Sequence, residues 1–152
     1  MKTKNIVLLR IFLLFAIVVA TSCKKRLDDF LFNNDNSITE YKLDNFEGPV
    51  SFEDPVGHNI PSSMINQFNF TISSEGESLN IAAIYIGDIN NISTDTVIFY
   101  CHGNRDHMDY YWSRQKVYAH LGNLGRFGVL MIDYPGYGLS EGNPTETNMY
   151  EA

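Results

Sequence analysis

Cysteine is scarce in this sequence, with only Cys23 and Cys101 among 152 residues. Two cysteines exclude the disulfide frameworks that hold small secreted scaffolds together, so the fold must rest on a buried core. A membrane-spanning run is also missing. The longest apolar stretch, residues 6–20, is interrupted by Arg10 and falls short of the roughly twenty residues a transmembrane helix needs. There is no internal repeat, which removes solenoids and propellers. Positive charge is thin, at 11 Lys and Arg against 18 Asp and Glu. Lys2, Lys4 and Arg10 belong to a leader, so the remainder is more acidic still. Such a surface repels phosphate backbones, and no nucleic-acid partner is expected. With 44 % hydrophobic residues and only 5 prolines, the composition is that of a globular chain with one domain at most.

What is present begins with an export signal. A basic head (MKTKNIVLLR) precedes the apolar run of residues 11–20, and small residues follow up to Cys23. The segment VATSC at residues 19–23 resembles the lipobox of bacterial lipoproteins, with Ala20 where the usual residue is Leu. That resemblance implies a signal peptide over 1–22, diacylation of Cys23, and attachment to one of the membranes of the cell envelope through lipid. An ordinary cleaved signal peptide is the alternative. Cys101 then stands alone. Its place in an apolar run predicts a buried, inert core thiol rather than a nucleophile.

Residues 23–66 read as a tether and N-terminal extension. They hold an Asn/Asp cluster at 33–36 and turn formers at Gly48-Pro49, Asp54-Pro55 and Ile60-Pro61. Apolar residues scattered through it, Tyr41 and Phe46 among them, suggest that part of it packs on the domain. From 67 to 152 the patterns are regular. Phe68, Phe70 and Ile72 alternate with polar residues, SSEGE supplies a turn, and residues 79–86 resume an extended pattern, which predicts a hairpin. The run TVIFYC at 96–101 has the composition of a strand buried on both faces, which predicts a parallel central strand. A helix is predicted from about Asp109 to Leu121, with Tyr110, Val117, Leu121 and Leu124 as its apolar face and Gly122 and Gly125 ending it. FGVLMIDY at 127–134 is a second buried strand, giving a strand–helix–strand crossover of parallel strands. Thr145 is placed to cap a further helix.

Two motifs stand at the ends of those buried strands: YCHGN at residues 100–104 and DYPGYGLSEG at residues 133–142. In order, spacing and context they resemble the α/β-hydrolase superfamily, in its lipase-like and serine-aminopeptidase-like branch. Pro135 stands where many members carry Arg. The resemblance covers residues 68–152 and implies an α/β fold: the N-terminal part of a hydrolase sheet, an antiparallel hairpin followed by parallel strand, helix, strand. It implies that Gly103 and Asn104 form an oxyanion loop, with the Asn104 amide as one donor to a carbonyl oxygen that gains negative charge. His102 is then a structural support of that loop, because the family's catalytic base comes last in the chain.

Other residues invite chemistry and are set aside. Gly138-Leu-Ser140-Glu-Gly142 matches the nucleophile-elbow pattern, but six residues separate it from the strand end and Glu-Gly-Asn-Pro follows, so no helix can start there. Asp133 corresponds to a loop-bracing aspartate. His107, with Asp106 and Asp109, is too local a group for a metal site and is expected on a solvated loop at the mouth of the site. No cofactor or metal is called for. The expected function is that of a partial, lipid-anchored serine hydrolase of ester or amide bonds, with a small-molecule ester or peptide substrate and its serine, acid and base beyond Ala152. The alternatives are a lipid-anchored binding module without catalysis and a small complete protein.

Overall fold

In the computed structural model, which describes residues 30–121 and 123–152, the expected signal peptide, Cys23 and Gly122 lie outside the described residues. The chain divides into residues 1–33 and 34–152. Of the first unit only residues 30–33 are described, with Phe30 and Leu31 exposed. The second carries the fold.

The period-two pattern produces a long hairpin. Strand β1 (Ile65–Ser74) pairs antiparallel with β2 (Glu77–Ile86), with Phe68 opposite Ala83 and Ile72 opposite Leu79. Glu75 and Gly76 both sit at positive φ, as a two-residue hairpin turn requires if it is to match the twist of its strands. Strand β3 (Val97–Tyr100) leads through helix α1 (Met108–His120) to strand β4 (Gly128–Ile132). Strands β3 and β4 are parallel, while β4 runs antiparallel to β2. The order across the sheet is β1-β2-β4-β3. A last helix, α2 (Glu146–Glu151), is capped by the Thr145 side chain, which accepts from the Asn148 amide, as the sequence predicts. Among the described residues no helix is long and apolar enough to cross a membrane.

The core lies mainly between the sheet and α1, where Ile84, Ile86, Val129 and Met131 meet Met108, Tyr111, Trp112 and Ala119. A smaller cluster of Leu79, Ile81, Ala83 and Ile132 occupies the opposite face.

Three expectations are corrected here. The buried face of α1 comprises Met108, Asp109, Tyr111, Trp112, Gln115 and Ala119, whereas Tyr110 and Val117 are half-buried and Leu121 is exposed. A polar residue at the centre of the true face hid it: the Gln115 amide donates to Ile84 O at 2.8 Å and Val129 O at 3.1 Å, fastening the helix to two strands. Second, β3 is an edge strand with Phe99 52 % exposed. Its apolar composition suits a central position, yet among the described residues it pairs on one side only. Third, the strand stops at Tyr100, so Cys101 lies beyond it and is exposed rather than buried.

Candidate functional site

The loops that follow β3 and β4 leave the sheet at the same end and are joined by buried polar contacts. His102 lies two residues past the end of β3, and its side chain is fully buried. Its Nδ1 lies 2.7 Å from Gly103 O. A carbonyl oxygen can only accept, so Nδ1 donates. Nε2 faces Asp133 Oδ1 at 3.1 Å, without the alignment of a good hydrogen bond. Both ring nitrogens therefore point at acceptors that belong to the fold. The ring stacks on Tyr111, with centroids 4.8 Å apart, and touches the rings of Tyr134 and Tyr137.

Those tyrosines also hold the loop backbone. The Tyr134 hydroxyl donates to His102 O at 2.7 Å, and the Tyr137 hydroxyl donates to Asn104 O at 3.1 Å. Burial raises the pKa of Tyr134, with the Cys101 thiol beside it adding to the effect, and pushes that of Tyr137 up to about 12. Both remain neutral donors across the physiological range. Gly103 and Asn104 themselves are exposed, at the outer rim of this arrangement. A side chain at 103 would press on the Tyr111 hydroxyl, 3.0 Å from an added Cβ.

Asp133 is the centre of the brace. It is fully buried. Its amide donates to Ala82 O at 3.0 Å, its carbonyl accepts from Ser140 Oγ at 2.6 Å, and its Oδ2 accepts from the Tyr41 hydroxyl at 2.6 Å. Gly138, at φ +50, lies so close that an added Cβ would overlap Asp133 Oδ2 and the Tyr41 hydroxyl. Only glycine fits this point.

Ser140 is buried, accepts from the Ala82 amide at 2.9 Å and gives its proton to the Asp133 carbonyl. With its proton on a backbone carbonyl and its oxygen on a strand amide, this hydroxyl fastens the loop after β4 to the hairpin.

The loop at 105–109 corrects another expectation. His107 and Asp109 are buried, at 2 % and 1 % exposure, not solvated. The N-terminal extension folds over them. Asp109 accepts from the amides of Lys42 at 3.0 Å and Leu43 at 2.7 Å. The His107 ring contacts Phe46 and Tyr41, with the carboxylates of Asp35 and Asp109 at 3.8 and 3.9 Å. Leu43 holds φ +51, a strained conformation for a side-chain-bearing residue that persists where contacts impose it. Among the described residues no cluster of His, Cys, Asp or Glu could hold a metal ion.

The structure thus brings together His102, Gly103, Asn104, Asp133 and Ser140, all singled out in the sequence, and adds Tyr41, Tyr111, Tyr134 and Tyr137. Tyr41 is 92 residues from Asp133, and no local pattern marks it. The aromatic YPGY segment at 134–137 was the available signal for the other two hydroxyl donors. A cleft of about 340 Å³ lies beside the extension, lined by Ser37, Phe46 and Asp109 among others, but neither Gly103 nor Asn104 lines it.

No protein-family model matches the chain, and no curated protein does. Among solved structures, the crystal structure of a "Putative hydrolase from Agrobacterium vitis S4" matches with 22 % identity and a TM-score of 0.38. The match covers 52 % of this chain and 29 % of that one, so the chain spans under a third of its length.

Proposed function

We propose that the chain supplies the oxyanion loop of a lipid-anchored serine hydrolase that cleaves ester or amide bonds through an acyl-enzyme. The observation that carries this reading is the buried brace beneath Gly103 and Asn104. His102, Asp133 and two tyrosine hydroxyls hold an exposed glycine turn at the ends of two parallel strands. Acyl transfer needs backbone donors fixed in advance, because a donor that must reorganise during the reaction loses much of its benefit. A turn with its carbonyls tied down from behind is suited to that task. In this reading the Asn104 amide is one donor, and His102 is structural, since its Nδ1 holds Gly103 O and its Nε2 faces the buried Asp133 carboxylate. The nucleophile, its acid and its base come from residues outside these 152, because Ser140 is locked and no described serine sits in an elbow.

One observation favours a second reading, a lipid-anchored binding module: no described residue pair combines a nucleophile with a base. Turnover of an acyl p-nitrophenyl ester by the product of the complete reading frame separates the two. Labelling of one serine by a fluorophosphonate is expected for the enzyme and its absence for the module. The 152-residue chain alone is expected to be inactive, and activity abolished by Ser140→Ala would overturn that. For the anchor, metabolic fatty-acid labelling is expected in the wild type and not in Cys23→Ser. An unlabelled wild type would leave a plain secreted protein.

A further inference from the structure

The extension ahead of β1 does more than lead into the domain. Its residues make hydrogen bonds to both loops of the proposed oxyanion site. Asn34 Nδ2 donates to Gly136 O at 2.5 Å, and Asp35 O accepts from the Gly138 amide at 2.7 Å. The Tyr41 hydroxyl donates to Asp133 Oδ2 and accepts from the Leu139 amide at 3.1 Å. On the other side, the amides of Lys42 and Leu43 fasten to Asp109 at the start of α1. Asp44 then takes hydrogen bonds from Trp112 Nε1 at 3.0 Å and Lys116 Nζ at 2.6 Å, two turns of that helix. Residues 34–44 therefore strap the 133–142 loop to the helix that follows the 102–107 loop.

Within the strap, Tyr41 stands at the decisive point. The Asp133 carboxylate has two oxygens, and the direction of one is set by what holds the other. With Tyr41 on Oδ2, Oδ1 faces His102 Nε2, and His102 Nδ1 in turn holds Gly103 O. We propose that Tyr41 is a positioning residue: through Asp133 and His102 it sets the turn at Gly103 and Asn104, so the N-terminal extension is part of the site rather than a passive tether. This proposal rests on the reading of that turn as an oxyanion loop.

The test compares Tyr41→Phe with wild type in the full-length protein, by steady-state ester hydrolysis and by NMR of the ¹⁵N-labelled histidine rings. A lost positioning contact should lower kcat on the order of tenfold while KM stays within about twofold, since turn geometry matters most where charge develops. The His102 ring signals should shift, and those of His58 and His120, remote from the brace, should not. A second variant, Asp44→Ala, loosens the strap on α1 without touching Asp133. It should show a smaller kcat loss of the same sign, together with faster amide exchange over residues 34–44. If wild type turns over no ester, the oxyanion reading itself fails. If wild type is active but Tyr41→Phe keeps kcat within twofold and His102 signals unmoved, the positioning role alone is overturned. Faster exchange with unchanged kcat in Asp44→Ala would overturn the role of the strap.

Discussion

Two His–Asp pairs in this chain share their chemistry and differ in almost everything else. His58 and Asp54 are four residues apart on the extension, 2.9 Å from each other, with side chains 21 % and 7 % exposed. His102 and Asp133 are joined across two strand ends, 3.1 Å apart, both at 0 % exposure. The local pair is closed by a turn, in which Asp54 also accepts from the backbone amides of Val56 and His58. The long-range pair is closed by the sheet, because parallel pairing of β3 and β4 brings both loops to one end. Water can replace the first pair's partners and has no access to the second's. Distance alone therefore says little about what a pair contributes; burial and what else each partner holds decide it.

The largest break in this contrast should come from Asp133→Ala. It leaves the buried Tyr41 hydroxyl without its acceptor, which costs about 1–3 kcal/mol and more where the lost partner is charged, and it removes the carboxylate that the buried His102 ring faces. Denaturant unfolding of the variant should show that loss, and a cost under about 1 kcal/mol would mean that the brace is dispensable. Ser140→Ala should be milder. It leaves the Ala82 amide without its Oγ acceptor, an unsatisfied buried donor worth about 1–3 kcal/mol. In an active full-length protein the same variant should retain turnover at temperatures where it stays folded, since its hydroxyl only fastens the loop. Abolished turnover in a folded Ser140→Ala would return that serine to the list of nucleophiles.

The difference between the pairs also explains what was readable in the sequence. The hairpin followed from alternation and the SSEGE turn, and β4 followed from an apolar run, because in both the neighbouring residues carry the signal. The Thr145 cap was legible for the same reason. The buried face of α1 was not, because Gln115 is polar in the sequence and its amide nitrogen finds acceptors only in the carbonyls of two strands. The edge position of β3 was equally hidden, since an apolar strand reads the same at the centre of a sheet and at its rim. His102, Asp133 and the Gly103 turn could be picked out by motif. Tyr41 could not, because its partner is reached only after the sheet forms. His107 and Asp109 were misjudged for a related reason: polar residues in a short loop read as solvated until a remote segment covers them.

The smallest effect belongs to the local pair and has a pH signature. Burial pulls the Asp54 pKa upward, but the His58 amide, the His58 ring and the Val56 amide together outweigh it, and the net shift is below the ordinary 3.8. A carboxylate with a depressed folded pKa adds stability above its unfolded value, and this is lost as pH falls through the folded one. Asp54→Asn should therefore differ from wild type by less than about 1 kcal/mol at neutral pH, as ion pairs near the surface do. The difference should vanish in acid, once pH drops below the folded pKa of Asp54. Melts of both proteins from pH 7 down to the acid limit check this. A gap as large as that of Asp133→Ala would show that local closure by a turn can hold a pair as firmly as burial does. A gap that persists unchanged in acid would show that Asp54 acts through its shape and turn hydrogen bonds rather than its charge.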